Sequence, residues 1–548
     1  MARLTLTNPH AAALLVSSSL ALAASGCFQP DEPGDDEVGE GTDETADAST
    51  DDTTGDTSDD TTTDDDTTTT EGTPNEAPTI DSFTLNGEAG DILITAAGAV
   101  QIAVEASDSD GEIAEVQILR DGEEFAVIPG PGPFTAEFVV GGEAFDGNYV
   151  FDAVAVDDGG LDAYAGPLTA SVDVPLGGEI EAWDNDWGAN EFSYRVAVDP
   201  DGTQVLVSGY ESVMSEFYGR IERVQGEPWA TDQVAVVQMA AGLAILDDAR
   251  VMVSGWSAPD GEESVLIEYD SAGAQLNLTQ GDWTSPGTPP ANFEAPLDLI
   301  TDADGNLYIA GVFTGDGGSQ PDTSYMFKFN AAGDLLWQFH SDLSDAIGQP
   351  VYGVNIDVRG EDLLLTGQAR TPVMDDVINQ MWFARFDTDG NFQSEVVVDG
   401  DEGFAWAGSA DPGGQVLMGG MRFTTDVNES YLARYGANGQ PLWTKQGGHE
   451  GIGAVVGTAI DPFGNYVALM LEECVTGFFS LGNCSAYVRK YTPGGDLIWE
   501  QAYATNDFAG PSIIPLAGDL DVDRFGYIYA TIPRMGEDMD YWAVKLHP

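Results

Sequence analysis

The sequence predicts an all-β protein: a small antiparallel sandwich followed by a seven-bladed β-propeller, both carried behind a disordered acidic tether. Three observations predict it. Period-two runs separated by Gly and Asp turns fill residues 77–176. A unit of about 53 residues repeats from residue 177 to residue 548. Between residues 27 and 76 almost nothing is available to be buried.

The repeat rests on two motifs in alternation. The first is an Asp-Gly-type turn before a β run ending in small residues, as in Asp199-Pro200-Asp201-Gly202 before Val205-Leu206-Val207-Ser208-Gly209. It returns at Asp302, Asp357, Asp411, Asp461 and Asp523, with a degenerate copy at Asp247-Asp248-Ala249-Arg250, which makes seven. The second is a β run, a Gly turn and often a tryptophan. Examples end in Leu335-Leu336-Trp337, Leu442-Trp443 and Leu497-Ile498-Trp499. Each unit then holds four short strands in two hairpins, the pattern of a propeller blade. The last unit stops at Pro548 without its Trp strand, while Glu179-Ile180-Glu181-Ala182-Trp183 stands unpaired at the start. That orphan is expected to complete the last blade and close the ring. The Trp residues read as packing between blades rather than as ligand platforms.

The sandwich shows alternating runs at Val100–Val104, Ile113–Leu119, Phe134–Val140 and Tyr149–Val156. Its Ala106-Ser107-Asp108-Ser109-Asp110-Gly111, Gly147-Asn148-Tyr149 and Ala153-Val154-Ala155-Val156-Asp157-Asp158-Gly159-Gly160 resemble bacterial Ig-like modules. Such modules serve as spacers beside secreted proteins, so the resemblance implies a fold and an extracytoplasmic setting, not an activity. The repeats, over about 370 residues, resemble the bacterial β-propeller repeat family of lipoproteins and other exported proteins.

Composition narrows the function. The 548 residues include 94 acidic and 18 basic side chains, a formal charge of −76. Nucleic-acid binding is excluded, because it needs clustered Lys and Arg to neutralise phosphates. Direct binding of an anionic membrane surface through protein charge is disfavoured too. Four histidines and three cysteines leave little for histidine-based catalysis or a transition-metal centre, so no cofactor and no metal site are expected. The chain has no Gly-x-Ser-x-Gly elbow and no sialidase-type Ser-x-Asp-x-Gly-x-x-Trp repeat. His449, in Gly447-Gly448-His449-Glu450-Gly451, reads as a solvated loop residue.

Residues 1–26 read as an export signal: Arg3 precedes an apolar run from Ala11 to Ala24, too short for a permanent membrane helix. Ala24-Ser25-Gly26-Cys27 resembles the lipobox of bacterial lipoproteins. The resemblance implies that Cys27 is diacylated and becomes the mature N-terminus, and Phe28, in place of Asp, points to the outer membrane. Several acyl chains on one residue anchor firmly. From Gln29 to Glu76 the chain has 19 carboxylates and no Lys or Arg, so like-charge repulsion keeps it extended.

In a four-stranded antiparallel blade the two recurring Gly turns lie on one face, and the variable connections on the other. These are 210–217, 281–295, 314–324, 338–349, 371–380, 472–483 and 504–515. That face is the expected binding surface. Trp283 and Phe293, in a Pro-rich loop, are its candidate ligand contacts. Cys474 and Cys484 are expected to form a disulfide within one such loop. The resulting reading is a monomeric, lipid-anchored cell-envelope protein that is not an enzyme, whose propeller binds a glycan or protein ligand. The alternative is a polysaccharide-active hydrolase or lyase with a carboxylate-based site on the propeller, although no pair stands out.

Overall fold

The computed structural model describes residues 74–548 apart from 142–145, 186–189, 214–215, 228, 232–236, 247, 258–263, 282–292, 315–322, 340–350, 374–375, 412, 425–427, 447–451, 476–482, 504–507, 510–517 and 536–538. Residues 1–73, which hold the expected export signal, Cys27 and nearly all of the expected tether, lie outside the described residues. Among the described residues every regular element is a strand.

The first sheets are a three-stranded one (Thr79–Leu85, Gly98–Ser107, Phe134–Val140) and a five-stranded one. The latter runs Ile92–Ile94, Asp162–Asp173, Asp146–Asp157, Ile113–Arg120, Glu123–Pro129. The expectation of a purely antiparallel sandwich needs one correction, since Ile92–Ile94 pairs parallel with Asp162–Asp173. The chain reaches that strand through a turn and not a hairpin partner, so nothing forces it antiparallel. Between the sheets Leu85, Ile102, Val116, Ile118, Phe138 and Phe151 are buried, the inward half of each alternating run.

From Glu179 onward, four-stranded antiparallel sheets follow one another. Sheet 1 is Asn190–Val198, Val205–Val213, Glu216–Gln225, Ala230–Thr231. Sheet 2 is Val237–Ile245, Val251–Ser257, Ser264–Tyr269, Gln275–Gly281. Sheet 3 is Phe293–Thr301, Leu307–Thr314, Thr323–Phe329, Leu335–Phe339. Sheets 4 and 5 share the long strand Phe392–Asp411: its first part pairs with Asp376–Asp387, its second with Gln415–Phe423. Sheet 4 begins with Val351–Arg359 and Asp362–Val373, and sheet 5 ends with Asn428–Tyr435 and Pro441–Gln446. Sheet 6 is Ile452–Ile460, Tyr466–Val475, Asn483–Tyr491, Leu497–Ala502. Sheet 7 holds Asp519–Val522, Ile528–Met535 and Met539–Leu546, and its fourth strand is Glu179–Asn185, paired antiparallel with Met539–Leu546. The first strand of each sheet packs on the first strand of the next, and Asp519–Val522 packs on Asn190–Val198.

The recurring turns form as the sequence predicts. Gly202, Gly305, Gly414, Gly464 and Gly526 donate their N–H to Asp199, Asp302, Asp411, Asp461 and Asp523, all at positive φ, where glycine avoids a Cβ clash. Two copies depart from the motif. In the degenerate copy Ala249 donates to Leu246, so Leu246 takes the Asp place and Ala249, at φ +62°, the Gly place. In the Asp357 copy the strands pair through to Arg359 and Asp362, leaving a two-residue Gly360-Glu361 turn and Asp357 inside the sheet.

The sandwich rests on the last Asp-Gly turn. Arg524 pairs with Glu137 at 3.1 Å, and Tyr527 Oη donates to the Ala97 carbonyl at 3.1 Å. A Cβ on Gly141 would lie 2.2 Å from the Phe525 carbonyl oxygen, so the two backbones meet where only glycine fits.

Candidate functional site

The first strands of six sheets each carry a β-bulge at the same register, leaving one residue unpaired: Tyr194, Ala241, Leu297, Val354, Trp406 and Val456. All six fall in one hydrophobic cluster, with Leu520 and Trp542 of sheet 7. The bulge re-aims a single side chain, and here it gathers one from each sheet into a shared apolar plug.

Next to the plug lies a polar layer. Arg195, Asp298, Asn355 and Asp519 occupy the same register in sheets 1, 3, 4 and 7. Arg195 Nε pairs with Asp298 Oδ1 at 3.0 Å, both side chains buried. The carboxylates also bond across sheets: Asp519 accepts the Val196 N–H at 3.2 Å and Asp521 the Val198 N–H at 2.9 Å. Asp298 accepts the Ile356 N–H at 2.9 Å, and Asp357 the Ala410 N–H at 2.7 Å. A first strand has one unpaired edge whose N–H groups need acceptors, and these side chains supply them. Burial raises all four acids. Asp298 rises despite the Arg195 charge. Asp519 is pushed up to about 7 by burial, with Arg195 opposing and Asp298 adding. Burial takes Asp357 and Asp521 to about 6.

No sequence motif singles out this cluster. The available signal was an acid at alternate positions of an apolar run, as in Asp519-Leu520-Asp521-Val522-Asp523, and 94 carboxylates obscured it. Among the described residues no group of three or more His, Cys, Asp or Glu side chains is placed to hold a metal ion.

On the face opposite the Gly turns, two of the expected loops are extended hairpins. Pairing continues to Val213 and Glu216 in one, and to Val373 and Asp376 in the other. Aromatic side chains cluster at this end of the sheets. Phe192 stacks on Tyr210 at 4.7 Å, and the half-exposed Phe217 meets Tyr210 edge-on at 5.2 Å. Phe404 packs on Trp406 and Phe423. Arg370 donates to Tyr352 Oη at 3.1 Å. Trp283 and His449 lie outside the described residues. Phe293 opens the first strand of sheet 3 opposite Thr314, so its backbone is strand and not loop. Cys474 and Cys484 form the expected disulfide. Beside it Arg489 makes a buried two-pronged pair with Glu472 at 3.0 and 2.8 Å.

The tryptophans of the second motif, Trp337, Trp443 and Trp499, sit between sheets, as the repeat implies. Trp337, Trp443 and Trp499 stand opposite Lys328, Arg434 and Lys490 in register. Each donates its indole N–H to a carbonyl in the following sheet: Thr388 at 3.0 Å, Pro493 at 3.1 Å and Pro548 at 3.1 Å. Each ring lies on a positive-φ glycine, namely Gly390, Gly495 and Gly177. At the last of these junctions the turn is split between residues 177–178, at the start of the repeat region, and residues 547–548, with Gly177 N–H donating to Pro548 and His547 N–H to Gly178.

No family model matches the chain, and no curated protein sequence does. Solved structures match it distantly. Fibronectin(III)-like modules of Clostridium thermocellum CbhA are 24% identical over 17% of this chain and 99% of theirs, with a TM-score of 0.15. Chaetomium thermophilum Sqt1, bound to the N-terminus of the ribosomal protein L10, is 10% identical over 67% of this chain and 98% of its own, at 0.36. A neuraminidase-like protein from A/bat/Guatemala/164/2009 is 10% identical over 67% of this chain and 94% of its own, also at 0.36. Likeness at this level says nothing of what this chain binds or does.

Proposed function

We propose that the chain is a lipid-anchored cell-envelope protein, acylated at Cys27, in which an Ig-like sandwich carries a seven-bladed β-propeller closed by Glu179–Asn185. In this reading the propeller is a binding or scaffolding module for an extracellular glycan or protein ligand. The observation that carries it is the succession of four-stranded sheets, the last assembled from the first and last strands of the repeat region. Such a scaffold carries its recurring Gly turns on one face and is elaborated on the other, where the half-exposed Phe217, backed by the buried Tyr210 and the partly buried Phe192, offers an aromatic contact suited to a sugar ring or a peptide.

The alternative, a hydrolase or lyase acting on a polysaccharide, draws on one observation: Asp357, Asp519 and Asp521 titrate near the range of a working general acid. Against it, each of these acids already accepts a backbone N–H of the neighbouring sheet. The test is a glycan and protein array probed with residues 77–548, with and without calcium. Saturable binding that is lost in a Phe217→Ala variant with an unchanged melting temperature supports the binding module. Release of reducing ends from a polysaccharide, abolished by Asp519→Asn, would replace it with the enzyme.

A further inference from the structure

The indole position recurs at each junction between sheets, but its occupant changes. Trp229 fills it after sheet 1, opposite Arg223, with its ring on Gly273. Trp337, Trp443 and Trp499 fill it after sheets 3, 5 and 6. After sheet 4 the register places Ser394 there, opposite Arg385. A cavity of about 360 Å³ and a second of about 210 Å³ open at that junction, and Arg385, Ser394 and Ala437 line both.

The rest of the slot is intact. The turn below it is Gly436-Ala437-Asn438-Gly439, with Gly439 at φ +74° as in the filled copies. Ala437 corresponds to Thr388 and Pro493, whose carbonyls accept the indole N–H at filled junctions. No described residue donates to the Ala437 carbonyl. Val396 covers Gly439 with one methyl, 2.7 Å from where a Cβ would stand, and the remaining space is the cavity. Arg385, the counterpart of Lys328 and Arg434, is drawn aside to Asp362.

From this geometry we infer a binding slot for the tryptophan side chain of a basic peptide segment in a partner protein. Four filled copies in the same molecule show what the frame accepts: a flat ring on the glycine, and in three of them, Trp337, Trp443 and Trp499, an indole N–H on the turn carbonyl. The charge of the rim selects the flanks. Glu361, Asp362 and Asp387 border the larger cavity and Glu395 the smaller, against the one cation Arg385, so a tryptophan between lysines complements it. The slot belongs to the Gly-turn end of the sheets, so it is independent of the ligand proposed for the opposite face.

The test is calorimetric titration of the full chain with acetyl-Lys-Trp-Lys-amide and with the same peptide carrying Ala for Trp. Saturable binding, at least about tenfold tighter for the tryptophan peptide, is expected. Ser394→Trp supplies the missing indole from within. It is expected to abolish peptide binding and to raise the melting temperature, because it restores the contact found at the filled junctions. Should that variant fail to fold, Ser394→Leu blocks the slot with a smaller group and is expected to weaken binding by at least about tenfold. Absence of saturable binding, equal binding of the alanine peptide, or unchanged binding in a folded Ser394 variant would each overturn the proposal.

Discussion

Ala249 stands at φ +62° in a turn where the matching positions of other sheets hold glycine. A Cβ in this region costs about 1–2 kcal/mol, and glycine returns about 0.4–1 kcal/mol of that through the entropy of its unfolded chain. Ala249→Gly is therefore expected to stabilise the protein by about 0.5–1 kcal/mol, read as a higher denaturant midpoint at unchanged slope. Lys490 sits at the other extreme. Its ammonium pairs with Asp461 at 2.8 Å, both side chains fully buried, and burial lowers the lysine pKa with Asp461 opposing. Lys490→Met strands the aspartate and is expected to cost about 3–5 kcal/mol. Adding Asp461→Asn should recover part of that loss, as a double-mutant cycle would show. The sequence marked Asp461 as a turn residue but not as half of a buried pair, because a lysine in an alternating run looks the same whether it faces water or core. The same blindness placed Asp357 in a turn.

At the scale of the strand and hairpin, the sequence was most legible. Period-two runs, Gly turns and the spacing of Trp337, Trp443 and Trp499 were enough to foresee four-stranded repeats and tryptophans between them. What periodicity does not carry is register across the last pair. Glu181, not Trp183, stands opposite Lys545, where Trp337, Trp443 and Trp499 face their cations. Trp183 packs two residues further along, beside Tyr541 and Ala543. The extent of the hairpins at 210–217 and 371–380 was hidden too: variable segments read as loops, although pairing continues to Val213 and Glu216 and to Val373 and Asp376. The indole contact itself is testable at Trp499. Trp499→Phe keeps the ring but loses the bond to the Pro548 carbonyl, at a cost of about 1 kcal/mol. Trp499→Ala also loses the packing on Gly177, and is expected to cost about 2–3 kcal/mol in chemical denaturation.

Across the whole molecule, acidity sets the pH response. Asp357, Asp519, Asp521 and Asp523 lie at about 6 to 7 in the folded chain, against 3.8 unperturbed. Between about pH 4 and 7 the native state therefore holds more protons than the unfolded one, and stability falls as pH rises through that window. Self-repulsion of a chain with a formal charge of −76 acts in the same direction. The melting temperature is expected to climb as pH is lowered from 8 to 5 by scanning calorimetry, and Asp519→Asn should flatten the climb. The sequence showed the net charge but not this coupling, since nothing in one strand tells which acids meet the edge of the next sheet. Long-range pairing was legible in one place only, the unpartnered Glu179–Trp183 run set against a last unit lacking its fourth strand.

That pairing is the central claim, and hydrogen exchange read by mass spectrometry on the intact chain tests it without disturbing it. If Glu179–Asn185 completes the seventh sheet, the alternate amides of that segment that face Met539–Leu546 will exchange as slowly as those of Met539–Leu546 itself. Exchange of the whole segment at the rate of an unprotected peptide, with Met539–Leu546 still protected, would contradict the account.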